Sequence, residues 1–90
     1  MRFIWDRRKA AANLAKHGVS FEEASTAIAD PLAVIGADPD HSAGEMRWIA
    51  FGLSGRDRVL VVVHTEESDT IRIISSRPAT RLERKLYEET

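Results

Sequence analysis

The stretch MRWIAFGLSGRDRVLVVVHTEESDTIRIIS, residues 46–75, decides the fold. It contains three apolar runs, MRWIAFGL, RVLVVVHTE and TIRIIS, which are separated by the polar segments SGRD and ESD. Short polar segments between apolar runs are typical of hairpin turns, so the three runs predict an antiparallel meander. The segment VLVVV is apolar at every position and hence on both faces of a strand, which makes the second run the central strand.

Two helices are predicted before the meander. Asp6 is the N-cap of the segment RRKAAANLAKHG, in which Ala11, Leu14 and Ala15 recur at helical spacing before Gly18 supplies a left-handed stop. A second helix opens at a capping box and ends before an Asp-Pro pair. Its capping residues are Ser20 and Glu23, and its apolar positions are Phe21, Ala24 and Ile28.

A third helix is predicted at the C-terminal end. Thr80 and Glu83 form another capping box after Pro78, and Leu82 and Leu86 are expected to anchor this helix. The segments MRFIW and LAVIG are candidates for short strands. We therefore predict an α+β domain in which the meander packs with two N-terminal helices and a C-terminal helix.

The lengths of the two hairpin loops set which side chains share a face of the sheet. With two-residue loops at 55–56 and 68–69, Arg47 lies opposite His64 and Glu66 lies opposite the second residue of the third strand. These three polar side chains then share one face, and Arg77 lies on that face about 14 Å from His64. A loop one residue longer would send part of this set to the opposite face.

Composition indicates one small domain spanning residues 1–90. The chain is 43% hydrophobic, which suffices for one core of this size. No apolar run approaches the ~18 residues of a membrane span, and the N-terminus is too polar for a signal peptide. Cysteine is absent, so disulfides and zinc–thiolate sites are excluded. We expect a cytoplasmic protein without membrane association or cofactor.

The net charge of −1 conceals a strong asymmetry. Residues 1–17 contain five Lys/Arg and one acid, residues 18–46 contain six acids and no Lys or Arg, and residues 71–87 contain five Lys/Arg and one acid. If the two basic segments converge in space, they build a local basic face suited to a polyanion; otherwise they are scattered solvated charges.

The segment DPDHSAGE before the first meander strand is the other polar concentration. Asp38, Asp40, His41 and Glu45 carry side chains that bind divalent ions, but a proline interrupts the alternating ligand pattern of a calcium loop. The same residues are favourable turn formers. We predict a solvated connector and no metal site. Nucleophile elbows and phosphate-binding glycine loops are also absent from the sequence.

His64 closes the most hydrophobic run, where an imidazole is either a core-edge residue or an acid/base group. Together with Arg47 and Glu66 it would supply what metal-free RNA cleavage requires: a base for the 2′-hydroxyl, an acid for the leaving oxygen and a cation for the phosphorane. Lys16 ends the first helix, where its charge also offsets the helix dipole. Arg77 and the arginines of the last helix could bind phosphates or be solvated.

Five segments of the chain, taken in order, resemble the BrnT toxins. They are WD..KAAANLAKHGVSFEEA, DP, DPDHS.GE.R, G.S.R.R.LVVVHTE and IRIIS.R.AT..ER..YEE. The resemblance implies a RelE-like endoribonuclease toxin of a type II toxin–antitoxin system, which cleaves RNA without a metal and slows translation. It also implies a BrnA-like antitoxin partner that neutralises the toxin and supplies the DNA binding.

The resemblance also implies which residues act. His64 and Glu66 would transfer protons, and Arg47 and Arg77 would stabilise phosphate charge. Lys16, Arg72 and Arg81 would bind RNA. The matched polar positions are Lys16, His17, Glu45, Arg47, His64, Glu66, Arg72, Arg77 and Arg81. RelE-type toxins tend to be strongly basic, whereas this chain is near neutral.

Two other classes of function compete with the ribonuclease. The sheet and the last helix could form a non-catalytic module that only binds a partner protein. Direct DNA binding is disfavoured because the helix at 21–29 is acidic rather than rich in Arg, Asn and Gln. RNA cleavage in EDTA by the purified chain separates the enzyme from the binding module.

Overall fold

The computed structural model describes residues 1–39 and 44–89. The fold is α+β, as predicted, with a five-stranded sheet and three helices in the described part of the chain. No helix in that part is long and apolar enough to cross a membrane. The elements are β1 (Arg2–Ile4), α1 (Arg7–His17), α2 (Phe21–Ile28), β2 (Val34–Ala37), β3 (Trp48–Leu53), β4 (Val59–Glu67), β5 (Thr70–Pro78) and α3 (Arg81–Glu88).

The sheet has the strand order β1-β5-β4-β3-β2. Its β3–β4–β5 portion is the predicted antiparallel meander, and β4 is the central strand. β2 adds antiparallel to β3, whereas β1 adds parallel to β5. The helices α1 and α2 cover one face of the sheet, which we name the helix face, and α3 covers part of the other, which we name the open face.

The loop between β3 and β4 is one residue longer than predicted. The Ser54 amide donates to the Arg58 carbonyl at 2.9 Å, so residues 55–57 form a three-residue loop. Its last residue, Asp57, has a φ of 61°, the left-handed conformation that such loops require. As a result Trp48, rather than Arg47, lies opposite His64.

A buried carboxylate holds both ends of this loop. Glu23 of α2 is 6% exposed. It accepts hydrogen bonds from Ser54 Oγ at 2.7 Å and from Arg58 Nε and Nη2 at 2.8 and 2.7 Å. The bonds from Arg58 lower the pKa of Glu23 although burial acts in the opposite direction. The Ser20 side chain accepts a hydrogen bond from the Glu23 amide and caps α2 as predicted. The Glu23 side chain binds Ser54 and Arg58 at the ends of the loop instead of completing the capping box.

The hairpin between β4 and β5 has the predicted two-residue loop at 68–69, and Glu66 lies opposite Ile71. Farther along, Val63 pairs with Ser75 whereas His64 pairs with Ile73, so the residue between these two on β5 is an extra one that forms a bulge. The bulge shifts the alternation of side chains beyond it by one residue.

The buried face of α1 differs from the predicted one. Leu14 is 52% exposed, and Ala11 and Ala15 are exposed as well, whereas Asn13 is 7% exposed. The Asn13 side chain donates to the carbonyls of Val19 and Ser76 at 2.9 and 2.8 Å and accepts from the Ser76 amide at 3.0 Å. The Asn13 side chain therefore binds the outer edge of β5, beyond the residues of β5 that pair with β1.

The predicted apolar anchors of α3 are also wrong. The capping box of Thr80 and Glu83 is present, but Leu82 and Leu86 are 70% and 51% exposed. The helix instead contacts the sheet through Tyr87, which packs against the small apolar cluster on the open face and donates a hydrogen bond to Asp30. Thus α3 presents its leucines to solvent.

His64 is wholly buried on the helix face, at 0% exposure. Its Nδ1 lies 3.4 Å from the Val62 carbonyl, and its Nε2 has no hydrogen-bond partner among the described residues. Burial lowers the pKa of His64 below the 6.5 of an ordinary histidine. The imidazole is therefore a neutral part of the core.

We predict that Asn13→Leu lowers the free energy of unfolding by about 3 kcal/mol, because it leaves backbone groups of β5 buried without partners. Urea unfolding measures this loss. Ser76→Ala is the matched control: the Ser76 hydroxyl is buried and has no partner among the described residues, so its removal should leave stability unchanged or raise it. A loss for Ser76→Ala equal to that for Asn13→Leu would contradict this assignment.

We predict that His64 makes the fold sensitive to mild acid. Because folding lowers the pKa of His64, protons bind the unfolded chain more strongly, and stability falls as the pH drops through about 6.5. His64→Leu should reduce the difference in urea midpoint between about pH 7 and about pH 5, whereas His17→Gln should retain it. Glu23 and Glu83 also have lowered pKa values in the folded chain. Protonation of these carboxylates lowers stability mainly below the ordinary pKa of 4.5, outside this window.

Candidate active site

A row of three polar side chains crosses the open face of the sheet. Thr65 of β4 is in register with Arg72 of β5. Since Trp48 pairs with His64, Arg47 lies one step farther, opposite Thr65 on its other side. Two strand spacings place the backbones of Arg47 and Arg72 about 10 Å apart. This separation allows two guanidinium groups to approach one phosphate from both sides.

An open cavity of about 570 Å³ lies at this end of the face. Glu45 projects into it, and its carboxylate forms an ion pair with Arg72 Nη2. The Arg72 and Glu45 side chains are 43% and 53% exposed, so this ion pair is weak and open to competition by a ligand. Among the described residues, Arg47 has no ion-pair partner. The cavity is lined by Ile4, Glu45, Thr65, Glu67, Ser68, Thr70 and Arg72.

Arg77 shares the open face with Arg72 because the bulge in β5 intervenes. It lies opposite Val61, four residues along β4 from Thr65 and hence about 14 Å away. Arg77 binds Glu83 of α3 through two hydrogen bonds, from Nη1 at 2.7 Å and from Nη2 at 2.9 Å. These bonds lower the pKa of Glu83 to about 2. Arg77 thus fixes α3 to the sheet while 41% of its side chain remains exposed.

The two basic segments of the sequence converge, because α1 packs along β5. A groove of about 320 Å³ runs between them. Lys9, Lys16 and His17 line its α1 side, and Ser75 lines its β5 side. The groove follows the edge of β5 that leads to Arg72 and Arg77. The two segments therefore meet, but their cations do not form one face: Lys9 and Lys16 line the groove, whereas Arg72 and Arg77 lie on the open face of the sheet.

The structure separates the residues that the sequence placed together. Arg47, Arg72 and Arg77 lie on the open face, whereas His64 is buried on the helix face and Glu66 is exposed at the end of β4 on the helix-face side. The predicted trio of Arg47, His64 and Glu66 on one face is wrong. The reason is the extra residue in the β3–β4 loop, which reverses the alternation of β3 relative to β4.

Other predicted residues lie apart from the cavity or outside the described chain. Arg81 is exposed on α3. In the described ranges, 1–39 and 44–89, no cluster of His, Asp and Glu could hold a metal ion. Asp40 and His41, part of the polar loop considered as a metal site, lie outside these ranges.

Sequence reasoning missed the pairing of Glu45 with Arg72. It also missed that Thr65 lines the cavity and that Lys9 lines the α1–β5 groove. Strand alternation would have found Thr65 had the loop at 55–57 been given its third residue. The partnership of Glu45 with Arg72 joins positions 27 residues apart, and no local pattern signals it.

Comparison with known proteins agrees with the arrangement of strands and helices. The family described as "Ribonuclease toxin, BrnT, of type II toxin-antitoxin system" matches residues 5–83. The crystal structure of the Brucella abortus ribonuclease toxin BrnT is similar, with 25% sequence identity and a TM-score of 0.65. That match covers 90% of this chain and 99% of the Brucella chain. No curated protein matches. Because the family match spans most of the described fold, this chain belongs to the BrnT family of ribonuclease toxins of type II toxin–antitoxin systems.

Proposed function

We propose that this chain is an endoribonuclease that cleaves RNA without a metal ion, inhibits translation and is neutralised by a BrnA-like antitoxin. The observation that supports this proposal best is the row of Arg47, Thr65 and Arg72 across the open face, in which Thr65 and Arg72, together with Glu45, line an open cavity. A cation, a carboxylate and a hydroxyl that line this cavity, with the cation Arg47 two strand spacings from Arg72, are suited to a phosphodiester.

Each side chain has a role in this proposal. Glu45 accepts the proton of the 2′-hydroxyl, and the 2′-oxygen attacks phosphorus. The bond from phosphorus to the 5′-oxygen then breaks, and water in the open cavity supplies the proton to that leaving oxygen. Arg47 and Arg72 stabilise the charge that develops on the phosphorane. The products are a 2′,3′-cyclic phosphate and a 5′-hydroxyl.

The proposal moves proton transfer from His64 and Glu66 to Glu45. His64 has no exposed surface and lies on the opposite side of the sheet from Arg47 and Arg72. An imidazole in that position does not contact a substrate on the open face, so a direct part in proton transfer is not supported.

Phosphates on either side of the cleaved bond would bind along β5. The groove with Lys9, Lys16 and His17 lies at one side of this strand, and Arg77 lies on its open face toward α3. Arg81, exposed at the start of α3, is a further candidate for binding a phosphate. This arrangement favours a single RNA strand following β5 past the cavity.

We predict that the purified chain cleaves RNA in EDTA and that Arg47→Ala and Arg72→Ala each lower the rate by about 10²-fold, because each removes a cation from the developing charge. Glu45→Gln should also lower the rate. Arg56→Ala is the matched control, since Arg56 is an exposed arginine in the β3–β4 loop, at the end of β4 opposite to the cavity. Cleavage products resolved on a denaturing gel give the rates.

The same assay distinguishes the binding module from the enzyme. His64→Leu should retain cleavage per folded molecule, because the proposal gives His64 no contact with RNA. If the wild-type chain leaves RNA intact both alone and with ribosomes, the non-catalytic module is favoured. If cleavage occurs but the substitutions of Glu45, Arg47 and Arg72 leave its rate unchanged, the cavity is the wrong site.

We predict that Lys16→Ala weakens RNA binding without a comparable loss of the cleavage rate at saturating RNA. Removing one phosphate contact should reduce the slope of log affinity against log salt by about 0.7, the value for a single strand. Fluorescence anisotropy at several salt concentrations measures the slope. An unchanged slope for Lys16→Ala would exclude the α1–β5 groove from the RNA path.

A further inference from the structure

The strand β2 is an edge of the sheet with no charged side chain. It reads VIGA, and three of its four residues are exposed. The Asp38 amide, just after β2, donates to the Arg47 carbonyl at 2.9 Å. In an antiparallel pair such bonded positions alternate with unbonded ones, so Ile35 and Ala37 direct their amides and carbonyls away from β3, toward the free edge. β2 therefore offers a partner strand two amides and two carbonyls.

The opposite side of the sheet is protected in ways that β2 is not. β1 carries Arg2 and is held by the chain's amino group, which forms an ion pair with Asp69. Beyond β1, the edge of β5 is occupied by the side chain of Asn13. Natural proteins use charges, short strands or covering groups at exposed edges to prevent pairing with other chains. Shortness is the sole such device that β2 has within the described chain.

We propose that β2 accepts an extended segment of the antitoxin, rich in Lys and Arg, as a sixth strand of the sheet. This proposal rests on the proposed function in one respect, that an antitoxin neutralises the chain. Backbone pairing would supply affinity, and the exposed Ile35 and Leu32 beside the edge would contact apolar side chains of the added strand.

Charge selects a basic segment rather than a second copy of this chain. Residues 18–46, which contain β2, hold six acids and no Lys or Arg. Asp30 and Asp38 stand near the two ends of the strand. Two copies paired through β2 would bring Asp30 and Asp38 of each copy close to one another, whereas a basic strand complements them.

The position of β2 connects this surface to the cavity. The strand pairs with β3, and Arg47 is the residue just before β3. A strand added outside β2 lies two strand spacings, about 10 Å, from the backbone of Arg47. A chain that continues from such a strand can therefore cover the cavity while the strand itself remains outside it.

Amide hydrogen exchange of the ¹⁵N-labelled chain tests the pairing directly, alone and in an equimolar complex with its cognate antitoxin. In the free chain, the Ile35 and Ala37 amides should exchange rapidly and the Gly36 amide slowly. In the complex, the Ile35 and Ala37 amides should slow by at least about tenfold. A complex in which both amides exchange as in the free chain, or no complex at all, overturns the proposal.

Substitutions separate backbone pairing from side-chain contact and from charge. Ile35→Pro removes an amide that points outward and should weaken antitoxin binding by about tenfold or more, whereas Ile35→Thr keeps that amide and should bind nearly as wild type. Ala37→Lys should weaken binding and Ala37→Glu should not. If Ala37→Lys and Ala37→Glu weaken antitoxin binding equally, the added strand is not a basic segment. Thermal unfolding of each variant verifies the fold.

The remaining outcomes are also decisive. If Ile35 and Ala37 become protected in the free chain as its concentration rises, a second copy occupies β2 and the proposal fails. If the complex protects both amides but the chain cleaves no RNA, the strand addition stands and the ribonuclease proposal fails. If RNA is cleaved but the Ile35 and Ala37 amides stay unprotected in the complex, the ribonuclease proposal stands and the strand addition fails.

Discussion

One buried carboxylate governs the arrangement of the open face. Glu23 reaches from α2 to Ser54 and Arg58, the two residues that flank the β3–β4 loop. A buried charge needs such partners, because an unpaired one would be strongly destabilising. By holding both ends of the loop, Glu23 stabilises the three-residue connection that accompanies the observed register of β3 against β4. The position of each β3 side chain relative to β4 follows from that register.

Two irregularities of one residue each then bring the cations together. The third residue of the loop sends Arg47 to the open face, and the bulge in β5 sends Arg77 to the face that already holds Arg72. In a perfectly alternating sheet, positions 72 and 77 would lie on opposite faces. Bulges are typical of places where a strand must re-aim a side chain, and here the result is an arginine that both fixes α3 and borders the open face.

The sequence alone predicted the helices and the central strands correctly, but it did not predict which side chains share a face at the site. Caps at Asp6, Ser20 and Thr80 and the apolar run of β4 predicted the helices and the central strand, because these signals are local. The assignment of faces failed where it depended on one residue of loop length. It also failed where a polar residue was buried: Asn13 occupies the core-facing position of α1 because it completes the hydrogen bonds of a strand edge, which no apolar count detects.

Segregation of charge would allow a nearly neutral chain to bind the two proposed partners, an RNA and a basic antitoxin segment. The cations of α1 and β5 lie toward one side of the sheet, and β2, which stands between Asp30 and Asp38 in the chain, forms the edge at the other. Screening confines each field to about 8–10 Å at physiological salt, so the two edges act separately although their charges nearly cancel in total. Under the two proposals above, a polyanion would be drawn to β5 and a basic segment to β2. The cavity at the end of the central strand β4, lined by Thr65 and Glu67, lies between the two edges.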